Sequence, residues 1–68
     1  MEKTFKIIEL VGTSPDGYES AIQNAIEEAS KSLKALSWFE VVQLRGGIKD
    51  GKICEYQAII KVGFKLID

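Results

Sequence analysis

The sequence has no histidine, one cysteine and one proline. Each scarcity removes a class of chemistry. Without histidine there is no Ser-His-Asp or Cys-His nucleophile pair and no imidazole metal ligand. With Cys54 alone there is no intrachain disulfide, and a lone thiol does not close a structural zinc site. Charge of one sign is missing too. Nine basic and ten acidic residues are mixed along the chain, giving a net charge of −1. No basic stripe is present to displace counterions from nucleic acid. No apolar run approaches the length of a membrane span, and Met1-Glu2-Lys3 is not a signal-peptide pattern. No Gly-rich phosphate loop follows a strand, because Gly46-Gly47 falls inside one. The acidic residues are scattered, and Glu27-Glu28 reads as a solvated helix face. Catalysis is not expected, and the cytoplasm is the expected compartment.

Size sharpens these exclusions. A chain of 68 residues is read as one domain over residues 1–68. A domain this short buries only about 60% of the surface its unfolded chain exposes. Disulfides, metals and oligomerisation are the usual supplements to so small a core. The first two are excluded by composition, which leaves oligomerisation or an unusually well-packed interior.

What is present follows a β-α-β-β order. Lys3 to Val11 is rich in β-branched and aromatic residues and ends at Gly12, the pattern of a strand. Its apolar residues fall on both faces, so one face needs a cover other than the domain's own helix. Thr13-Ser14-Pro15-Asp16-Gly17 is turn chemistry with two competing helix starts. Pro15 serves as a first helical residue after Ser14, or Asp16 caps with Glu19 three residues on. Tyr18, Ala21, Ile22, Ala25, Ile26, Ala29, Leu33 and Leu36 then recur at helical spacing. A helix from Tyr18 to Leu36 is expected, about 28 Å long. Acidic residues lie early and lysines late, which suits the helix dipole. The alanines of the stripe let the helix lie close to a sheet.

Trp38 to Ile48 and Lys52 to Leu66 read as two further strands. Asp50-Gly51 between them is a type I′ hairpin signal, since both central positions take positive φ. The third strand alternates, with Cys54, Tyr56, Ala58, Ile60, Val62, Phe64 and Leu66 on an expected core face. The second does not. A bulge near Val41-Val42 would bring Phe39, Val41, Val42, Leu44 and Ile48 onto the core face. It would also leave Trp38, Glu40, Gln43 and Arg45 together on the outer one. The expected fold is α+β: a three-stranded antiparallel sheet in the order 1-3-2, wrapped against one long helix.

Three outward residues are candidate binding groups. Trp38, at the helix-to-strand junction, is by periodicity an edge-of-core aromatic, but its large polarisable face also suits stacking on a flat heteroaromatic ring. Gln57 is by position a solvated strand residue. Its amide offers both a donor and an acceptor, which match the pyrimidine-like edge of a flavin. Arg45 suits either a phosphate or the carboxylate of a neighbouring subunit.

The whole chain, without a gap, resembles the dodecin family. The resemblance is carried by Val11-Gly12-Thr13-Ser14-Pro15, by Ala21 to Ala29 and by Trp38-Phe39-Glu40-Val41. It continues through Arg45-Gly46, Tyr56-Gln57-Ala58 and Lys61-Val62-Gly63-Phe64. It implies a hollow homododecamer that sequesters flavin, FMN or riboflavin, rather than an enzyme. It also implies flavins paired at two-fold interfaces between tryptophans of two subunits. Trp38 matches the stacking residue and Gln57 the residue that bonds the ring edge. Arg45 falls where the ribityl or phosphate end is contacted. Lys65 stands where many relatives carry arginine, and Gly47 where many carry histidine. Lysine still supplies a point charge there but lacks arginine's bidentate fork. A purely structural oligomer with a lapsed flavin site is the alternative.

Overall fold

In a computed structural model, residues 3–66 of the chain are described. Four elements follow in the expected order: β1 (Phe5–Ser14), α1 (Tyr18–Ser30), β2 (Leu36–Lys49) and β3 (Lys52–Lys65). The sheet order is β1-β3-β2, and β3 pairs antiparallel with both neighbours. The alternation of β3 therefore marks the central strand, with Ala58, Ile60 and Val62 buried on the side facing the helix. The hairpin is as its two residues dictate, with Asp50 at φ 53° and Gly51 at φ 75°.

Helix α1 meets the sheet through its alanines. Ala21, Ala25 and Ala29 are buried, and Ile22 and Ile26 pack beside them. Gly12 makes the approach possible. A methyl group there would collide with the Ala21 carbonyl oxygen and stand 2.9 Å from the Ala25 Cβ. That is why β1 runs through Gly12 to Ser14 rather than stopping at Val11: the glycine is a contact point, not a terminator.

Neither expected helix start is used. The helix begins at Tyr18 after Gly17, with no side-chain cap. Ser14 is folded inward instead. Its Oγ accepts from the Asp16 N–H at 3.0 Å and donates to Ser20 Oγ at 2.8 Å. Both hydroxyl functions are satisfied inside the turn.

The helix also ends early, at Ser30 rather than Leu36. The last turn tightens as Lys31 N–H donates to the Glu28 carbonyl and Ser32 N–H to that of Ala29. Ala35, at φ 61°, then redirects the chain into β2. Leu33 and Leu36 stay partly buried, so their place in the apolar stripe recorded burial and not helix. No basic residue falls in the helix's last turn, and Lys31 just beyond it pairs with Glu28 at 3.2 Å.

The bulge in β2 lies where the pattern put it: Val41 pairs with Ile60 and Gln43 with Ile59, leaving Val42 over. The core assignment for that strand fails. Phe39, Val41, Val42 and Leu44 are 41–48% exposed and Ile48 78%. The helix packs mainly on β1 and β3, so among the described residues β2 beyond Leu36 has no layer above it. Cys54 is exposed and not in the core. The reason is length. β1 ends at Ser14, opposite Tyr56, and beyond that point β3 has only β2 beside it. Leu66 lies just past the end of β3 and is likewise exposed.

The folded chain is a long slab, with extents of 54 × 20 × 13 Å and a radius of gyration of 14.0 Å. A compact chain of this length would have a radius of about 11 Å. Its accessible surface of 5137 Å² exceeds the ~4,200 Å² typical of a 7.5 kDa monomer. Exposed apolar side chains of the hairpin, Ile48 at 78% and Ile53 at 64% among them, contribute to that surface, as do Ile7 and Val11 on β1.

Candidate functional site

The outer face of the sheet can be read from its register. Across β1, β3 and β2 its rows are Ile7–Gly63–Trp38, Glu9–Lys61–Glu40, Val11–Ile59–Gln43 and Thr13–Gln57–Arg45. Trp38 and Arg45 thus share one face, as their phase relative to the bulge requires.

Gly63 creates the seat of Trp38. It is buried, and a methyl group on it would lie within 2.6 Å of the indole atoms Cε2, Cζ2 and Cη2. Three adjacent ring atoms almost equidistant from one point mean that the ring lies with its face over the Gly63 Cα. The gap left by the missing side chain also lets Phe5 reach across β3. Its ring centroid is 5.0 Å from that of Trp38 at an interplanar angle of 57°, a tilted aromatic contact. Trp38 remains 42% exposed. One face is backed by the sheet, and the indole keeps surface free for a flat partner. Lys65 lies two residues from Gly63 along β3, opposite Phe5, with its side chain exposed.

The other cluster is at the far end of the same face. Arg45 Nε donates to Gln57 Oε1 at 2.6 Å, and Gln57 Nε2 donates to Glu55 Oε1 at 2.7 Å. Gln57 is part-buried, whereas Arg45 is exposed. Register makes this group, since Arg45 is the cross-strand partner of Gln57 and Glu55 is two residues away along β3.

The four candidate residues therefore form two pairs. Trp38 and Lys65 fall at one end of the face, and Arg45 and Gln57 are bonded to each other at the other. Gly63 and Gln57 are six residues apart on β3. At about 3.4 Å per residue the two pairs are about 20 Å apart. A tricyclic ring stacked on Trp38 cannot reach Gln57 of the same chain. Three residues of this face were not singled out in the sequence: Phe5, Gly63 and Glu55. Gly63 carried a signal, because glycine inside an alternating strand marks close approach by another group. Phe5 carried none, since its partner is set by strand pairing. The alternation of the third strand already put Glu55 on the face of Gln57, without marking the bond between them.

No group of three or more His, Cys, Asp or Glu able to hold a metal occurs among the described residues. Nor is any helix among them long and apolar enough to cross a membrane.

Comparison with known proteins gives one consistent result. The family profile described as Dodecin matches residues 4–67. A dodecin of Thermus thermophilus is 50% identical over 66 residues, which is 97% of this chain and 96% of that protein. The dodecin structure from Streptomyces davaonensis superposes with a TM-score of 0.97 at 46% identity, covering 100% of both chains. That from Streptomyces coelicolor gives 0.95 at 47% identity, covering 97% of this chain and 94% of the other.

Proposed function

The chain belongs to the dodecin family, and from that premise we propose that it binds flavin, FMN or riboflavin, between subunits of a homododecamer. Its role is to sequester the flavin and not to turn over a substrate. The observation that carries this reading is the seat of Trp38, an indole fixed face-down over Gly63, braced by Phe5 and still 42% exposed. A rigid half-exposed indole loses little conformational entropy when a second ring stacks on it.

Two features fit a shared site. The exposed apolar residues of β2, among them Phe39, Val41 and Leu44, need a cover that the described residues do not supply. The separation of Trp38 from Gln57 has the same consequence. A ring stacked on Trp38 of one subunit takes its edge contact from Gln57 of another. Assembly then completes the core and the binding site together. Lys65, near the indole, supplies a cation that a flavin phosphate can use, so both FMN and riboflavin are suitable ligands.

Bound flavin would bring a photoreactive ring whose excited state is quenched by electron transfer from the adjoining indole. The chain's part is to hold that ring against Trp38 and exclude water from its faces. Storage and protection from light follow from the same contact. The exposed free thiol of Cys54 suits the reducing cytoplasm as the place of action.

The test is a fluorescence titration of riboflavin and FMN with the assembled apo-protein, beside Trp38→Ala. Deep quenching that saturates near one flavin per subunit is expected. Trp38→Ala should lose most of it while keeping its oligomeric state. No quenching by a well-assembled oligomer would reject flavin binding and leave a structural assembly.

A further inference from the structure

A side-chain amide has nearly the same shape either way round, so a free glutamine exchanges its donor and acceptor by turning over. Gln57 is not free. Its Oε1 takes a hydrogen bond from Arg45 Nε, and its Nε2 gives one to Glu55 Oε1, at 2.6 and 2.7 Å. Turning the amide over would set its N–H group against a guanidinium, which accepts nothing. It would also set its carbonyl against a carboxylate, which donates nothing. Two charge-assisted bonds would be lost at once.

We propose that Arg45 and Glu55 lock the Gln57 amide in one orientation. The sheet face then presents a donor and an acceptor in fixed order to a heterocycle with an imide edge, an N–H flanked by carbonyls. After both internal bonds are made, Oε1 keeps one lone pair and Nε2 one N–H. An imide edge uses that pair. The lock makes Arg45 a positioning residue acting through Gln57, not a phosphate contact, and gives Glu55 a role of its own. Because all three residues sit on two paired strands, the lock exists before any ligand arrives. Its ligand class rests on the flavin reading above; the lock itself does not.

Riboflavin and FMN differ only in the phosphate, which makes them the right probes. Both are titrated into assembled wild-type protein, Arg45→Ala, Gln57→Ala and the double variant. Arg45→Ala is expected to weaken both flavins by the same factor, about five- to tenfold, and to add nothing when Gln57 is already alanine. A loss confined to FMN, or one undiminished in the Gln57→Ala background, would overturn the proposal. A second measurement needs no ligand. In ¹⁵N-labelled apo-protein, the Gln57 side-chain amide should exchange its protons slowly, and Arg45→Ala and Glu55→Ala should each remove that protection. A Gln57 amide that exchanges as freely as an exposed one refutes the lock. Protein with a protected amide but no flavin affinity would instead refute the flavin reading and leave the lock standing.

Discussion

Gly63→Ala adds one methyl group, and its consequence can be worked out from the seat of Trp38. That methyl would come within 2.6 Å of three indole atoms. Carbon atoms settle about 3.5–4.0 Å apart, so the ring must move by at least about 1 Å. It cannot move inward, because the Gly63 backbone lies beneath it, so it tilts outward and breaks its contact with Phe5. The lost seat affects binding more than folding. Trp38 is half-exposed, and the buried side chains Ala58, Ile60 and Val62 lie on the opposite face. Stacking of a flat heterocycle on an aromatic side chain is worth about 1–3 kcal/mol. Losing much of it corresponds to a fall in flavin affinity of about 5- to 150-fold. The assay is the flavin titration, with size exclusion to confirm assembly and near-ultraviolet circular dichroism to report the indole environment. An assembled Gly63→Ala protein with wild-type affinity would refute the seat as the basis of binding.

Other expectations follow from the same structure. Gln57→Ala should weaken flavin binding by about 1–3 kcal/mol, the range for a buried polar partner left unpaired; dissociation of the oligomer would instead make Gln57 structural. Ile60→Ala, at a fully buried position in the central strand, should cost about 2–5 kcal/mol in urea unfolding. That is comparable with everything so small a core supplies, and a loss below 1 kcal/mol would contradict the assigned core. Leu44→Glu places a charge on the uncovered inner side of β2, opposite Ala58. It should shift size exclusion toward small species, and an intact assembly would show that this side of β2 is not an interface.

The parts of the fold legible in the sequence are those that depend on near neighbours along the chain. The alternation of β3, the Asp50-Gly51 turn and the alanine spacing of α1 sufficed for β-α-β-β and for the order β1-β3-β2. The broken phase of β2 located the bulge near Val41-Val42, and the pairing then leaves Val42 over. Absence was informative as well, since missing histidine and paired cysteine turned attention to assembly and binding. Trp38 and Gln57 were legible as outward-facing side chains, and the proposal that they bind a flavin came from family resemblance.

Tertiary structure decided what depends on partners distant in sequence. Leu33 and Leu36 continue the apolar rhythm of α1, but Ala35 turns the chain so that Leu36 pairs with Phe64 in the sheet. Periodicity records which side chains are buried, not which backbone carries them. Cys54 keeps the phase of a core residue, yet β3 outruns β1 there and Cys54 stays exposed. The seat of Trp38 on Gly63, the bonds from Arg45 to Gln57 to Glu55, and the gap of about 20 Å between them are all products of register. Register is set by how three strands and a helix bury apolar surface together, and no single segment encodes it.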